Sequence, residues 1–95
     1  MTAVSGASRP RLANKARLKW DRHAQQHMLL FPERGLALNA SAAAILELCD
    51  GHATVDEIAR TLAARAGSAV EVIAADVLAF VEAMRKRGLV AVGDV

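Results

Sequence analysis

Ninety-five residues make one domain, long enough for a modest core without a metal or disulfide staple, and the lone cysteine, Cys49, excludes an internal disulfide. The chain is 54% hydrophobic but only 3% aromatic, so its core must come from Ala, Val, Leu and Ile. The net charge of +2 is unevenly placed: residues 1–34 carry seven Lys/Arg against two Asp/Glu, and residues 35–95 carry five against eight, a polarity that suggests an interaction edge.

No apolar run approaches a secretion signal or a membrane span, so a cytoplasmic location is expected. Residues 1–8, MTAVSGAS, are small and polar, and residues 1–10 are expected as a disordered arm before a single domain over 11–92. The basic stretch 9–15, interrupted by Pro10, is expected to stay extended. Residues 17–20 alternate charged and apolar, the period of a strand wet on one face, with Leu18 and Trp20 pointing inward. Residues 21–26 connect it to the next strand.

The rest of the chain is arranged around residues 28–51. Met28 to Phe31 is a short apolar strand bounded by Pro32, which presets φ for the first inner position of a type I turn. Gly35 is the residue expected to take positive φ as the hairpin closes, and Leu36, Ala37 and Leu38 return as a short edge strand. Asn39 or Ser41 caps a helix over 42–49 that carries Ile45, Leu46 and Leu48 inward, and Asp50-Gly51 stops it. Thr54 and Glu57 have capping-box spacing, opening a helix that ends at Gly67. Ser68 and Glu71 repeat that spacing ahead of a third helix, with Ile73, Val77, Phe80, Val81 and Met84 on its apolar stripe and Gly88 at its end. Three antiparallel strands in meander order followed by three helices make an α+β domain of winged helix-turn-helix type.

Chemistry is sparse. His23 and His27 lie in a loop entering a strand, Cys49 and His52 have no second pair, and no metal site or cofactor is expected. Ser41 and Ser68 read as caps rather than nucleophiles, so an enzyme is not expected. Nucleic acid is the rival partner, because a helix-turn-helix with a wing is a DNA-binding architecture. The third helix, however, begins with Glu71 and Asp76, whereas phosphate contact needs Lys or Arg. An added peptide strand fits better: a short edge around Leu36 lies beside a helix whose Ala75, Ala79 and Ala83, with Phe80, leave room for a guest.

The ordered set LLxPExGxxLNxSAxxILxLxDG over 29–51, with Glu57-Ile58, resembles the PqqD family of pyrroloquinoline quinone (PQQ) biosynthesis, over about residues 11–90. The resemblance implies a non-catalytic peptide chaperone that binds the ribosomally made precursor PqqA and presents it to the radical SAM enzyme PqqE, which cross-links a Glu and a Tyr within it. It also implies a recognition element of the kind that takes a leader peptide as an added strand. Mapped here, that strand lies along Gly35, Leu36, Ala37 and Leu38, facing Asp76, Ala79, Phe80 and Ala83. An exposed edge also permits a homodimer by strand exchange.

Overall fold

The computed structural model describes residues 4–93. Five strands and three helices follow in order: β1 (Arg9–Leu12), β2 (Arg17–Asp21), β3 (Gln26–Phe31), β4 (Arg34–Leu38), α1 (Ala40–Glu47), α2 (Val55–Ala66), α3 (Val70–Lys86) and β5 (Val90–Gly93). The central sheet is the expected antiparallel meander, β2-β3-β4, and three helices follow it. Antiparallel partners share a face, so the register Leu18–Leu29–Leu36 places three leucines on the side covered by the helices. Leu29, on the central strand, is fully buried there with Leu46, Ile58, Val77 and Val81.

The β3–β4 turn differs from the expectation. Phe31 pairs with Arg34, leaving Pro32-Glu33 as a two-residue loop. Glu33, not Gly35, takes positive φ, at 64°. A positive φ at the second inner position behind a proline is the type II geometry, so the turn is not type I. Gly35 instead lies inside β4, where a Cβ would come within 3.2 Å of Met28 Cε and 3.3 Å of Leu30 Cδ2.

Helix ends follow local chemistry. Asn39 caps α1, its side chain accepting the Ala42 N–H at 2.7 Å, so the helix starts two residues before the predicted 42. Asn39→Ala is expected to cost about 1 kcal/mol, read as a lower midpoint in urea. Thr54 and Glu57 form the full capping box on α2, and Gly67 closes that helix at φ 65°. The second capping box is absent. Ser68 gives its backbone N–H to the Ala63 carbonyl in closing α2, so α3 begins behind Ala69, which makes no side-chain cap.

The expected arm is the largest correction. Residues 9–12 form β1, paired antiparallel with β5 in a second sheet. Val4, Ser8 and Pro10 are buried. The first helical N–H groups of α2 are taken up by this segment: Val55 donates to the Ser8 carbonyl at 2.9 Å and Asp56 to that of Gly6 at 3.0 Å. A Cβ at Gly6 would fall 2.5 Å from the Asp56 carboxylate oxygens, so a side chain there would oblige that carboxylate to swing aside. Residues 1–3 lie outside the described residues. Trp20 is a second correction. It shares the helix-side face with His27 and Leu38, but on the outer strand it stays 45% exposed, edge-on to His27.

Candidate functional site

The edge strand β4 is bonded on one side only among the described residues. A two-residue loop is closed by a hydrogen-bonded pair, here Phe31 and Arg34, and such pairs alternate along an antiparallel ladder. Leu36 and Leu38 therefore turn their backbone groups toward β3, whereas Gly35 and Ala37 turn theirs outward. Of the four strand residues mapped from the sequence, Gly35 and Ala37 carry the free donors and acceptors. Leu36 is half-buried and Leu38 buried, their side chains belonging to the core.

On α3, Asp76, Ala79 and Ala83 are exposed, and Phe80 is half-buried against the core. These four positions follow i, i+3, i+4, i+7 and so share one helix face. Asp76 comes next to the start of α1, directly beyond the end of β4. There Ala40, Ser41, Ala44 and Ile45 line an apolar cavity of about 360 Å³ with Leu62, Arg65, Ala66, Ile73, Asp76 and Val77. Ala74 is half-buried against the core. Val72 was not anticipated: it is 61% exposed and lies four residues before Asp76, extending the same face toward the N-terminus of α3. The i−4 spacing from Asp76 is the signal that would have found it. Arg65 and the α1 residues were missed because the cavity is formed by three helices meeting, which periodicity along one helix does not reveal.

The remaining polar groups suit structure rather than chemistry. The Cys49 thiol is buried and donates to the Ile45 carbonyl at 3.2 Å. Burial, and then the neighbouring Asp50 charge, pushes it up to about 12, so it stays a neutral thiol. Asp50 accepts the His52 and Ala53 N–H groups at 2.8 and 2.9 Å, and these bonds hold its carboxyl below the ordinary carboxylate range. Among the described residues no three His, Cys, Asp or Glu side chains gather as a metal site, and no helix is long and apolar enough to cross a membrane.

Against known proteins, the family described as Coenzyme PQQ synthesis protein D (PqqD) matches residues 26–90. A PqqA binding protein of Bradyrhizobium diazoefficiens is 37% identical over 86 residues, spanning 90% of this chain and 84% of that one. The solution NMR structure of the PqqD truncation of Methylobacterium extorquens PqqCD, a stand-alone recognition element for ribosomally synthesized and post-translationally modified peptides, is 36% identical. It aligns with a TM-score of 0.82 over 95% of this chain and 96% of that one. The crystal structure of PqqD from Xanthomonas campestris is 32% identical, with a TM-score of 0.57 over 92% and 97% of the two chains.

Proposed function

This chain belongs to the PqqD family, and from that premise we propose that it is a peptide chaperone of PQQ biosynthesis: it binds the precursor PqqA as a strand added to β4 and presents it to the radical SAM enzyme PqqE. The observation that carries this reading is the outward-facing backbone of Gly35 and Ala37, with the small, exposed face of α3 and its cavity beyond the strand end. The assigned work is binding, not catalysis.

Magnitudes divide the labour. The four free backbone groups of Gly35 and Ala37 supply about 4 kcal/mol net at about 1 kcal/mol each. Micromolar affinity needs about 8 kcal/mol, so the remainder comes from apolar side chains of the peptide at roughly 1.5–3 kcal/mol each. In an added strand alternate side chains point to the helix side, where Asp76, Ala79, Phe80 and Ala83 would receive them, with Val72 and the cavity at Ala40 and Ser41 beyond. Leu36 and Leu38 hold the edge in place through their core side chains. The acidic first half of α3, with Glu71 and Asp76, disfavours the DNA-binding alternative.

Titrating labelled protein with PqqA while following backbone amides tests the site. The amides of Gly35, Ala37, Val72, Asp76 and Ala79 are expected to shift most. Shifts confined to β2, or to β1 and β5, would move the peptide elsewhere and sink this assignment.

A further inference from the structure

The sheet has a second face, turned away from the helices. By register it carries Arg17 and Lys19 on β2, Leu30 and Met28 on β3, and Gly35 and Ala37 on β4. Leu30 and Met28 are only half-buried and, unlike Leu29 between them, are not part of the core. Neither Gly35 nor Ala37 has a side chain large enough to cover them. Arg17 and Lys19 are exposed, and the ion pair found among the described residues is Arg85–Glu82, far along the chain, so both cations stand without a carboxylate partner. The nearest acid on their own strand, Asp21, is turned into its loop, accepting the His23 and Ala24 N–H groups at 2.9 and 3.2 Å. A cavity of about 420 Å³ opens at this side, lined by Lys19, Met28 and Leu30 with Trp20 and the turn residues Asp21, Arg22 and His23.

We propose that this outward sheet face, with Leu30 and Met28 at its centre and Arg17 and Lys19 along its flank, docks a partner protein whose surface has an apolar centre edged by carboxylates. Charge complementarity selects that partner: two unpaired cations beside uncovered apolar area fit an acidic protein surface, and fit neither a second copy, which would bring the same cations together, nor a purely apolar one. The face is continuous with the edge of β4. A strand added there alternates its side chains between the two sides of the sheet, so the half not gripped by α3 lies in the plane of the docked partner. Recognition and presentation then use opposite faces of one extended sheet. The inference rests on the chaperone reading only for the choice of partner to test, the enzyme that would receive the peptide.

The test uses the full chain and purified PqqE, with PqqA binding measured separately. Arg17→Glu/Lys19→Glu is expected to weaken PqqE binding at least tenfold at physiological salt and to steepen no other interaction. Leu30→Asn, which keeps the charge, should also weaken it severalfold, with thermal unfolding confirming that both variants are folded. Arg87→Glu, at the far end of α3, should leave PqqE binding as it is. PqqA affinity should stay within twofold of the parent in all three variants. The proposal is overturned if PqqE does not bind the parent chain, if the double variant binds it as tightly as the parent, or if Arg87→Glu costs as much. It is equally overturned if the parent binds a random DNA duplex and the double variant loses that binding, which would make the face a phosphate surface. A parent chain that binds PqqE but not PqqA would instead refute the peptide site and leave this face standing.

Discussion

Ala37→Pro is expected to weaken PqqA binding at least tenfold while the protein stays folded. Proline lacks a backbone N–H, and within a sheet it is tolerated on an edge strand where that N–H faces outward. Ala37 is such a position, because the hydrogen-bonded pairs of the β3–β4 ladder fall on Arg34, Leu36 and Leu38. The substitution removes one of four free backbone groups, worth about 1 kcal/mol. It also puts a ring where a guest backbone must approach, which denies the neighbouring bonds their geometry. Calorimetry with PqqA reads the affinity, and urea unfolding reads the fold. Leu36→Pro is the paired control: it removes a bond to β3, leaves its acceptor unpaired and should lower stability by about 1–3 kcal/mol. Equal PqqA affinity in Ala37→Pro and parent would mean that the peptide does not use this edge.

Removing residues 1–12 is expected to lower the melting temperature by on the order of 20 °C, or to abolish cooperative unfolding. The sequence alone makes these residues dispensable, being small, polar or basic. In the fold they leave three backbone donors behind, since Gly51 donates to Pro10 at 2.9 Å as well as Val55 to Ser8 and Asp56 to Gly6. They also strip β5 of its only strand partner among the described residues and uncover Val55, Leu89 and Val90, each now at most 3% exposed. A melting temperature within a few degrees of the full chain would show that β1 contributes little. Because α2 packs against α3, the same truncation should also weaken PqqA binding, although no residue of β1 belongs to the proposed site.

What could be read before the fold was known follows from how far apart the causes lie. The meander, the Thr54 capping box and the stop at Gly67 are set within a few residues of sequence, and all three appear. The pairing of β1 with β5 joins Arg9 to Gly93, and no local pattern announces a bond across the length of a chain. Ser68 shows the opposite failure: its spacing to Glu71 is right, but the residue is already engaged in finishing the preceding helix. The edge at Gly35–Ala37 was legible because Pro32 and the short apolar run define a hairpin. The cavity beside Arg65 was not, because it forms where three helices meet; Val72 was marked only by its i−4 spacing from Asp76.

The chain holds a single tryptophan, and it stands on β2, across the sheet from the edge assigned to the peptide. Its indole is nearly half in water and edge-on to one imidazole. Intrinsic fluorescence is therefore a one-sided reporter: its emission should shift to the blue when a protein closes over the β2 side and stay nearly silent as PqqA enters along β4.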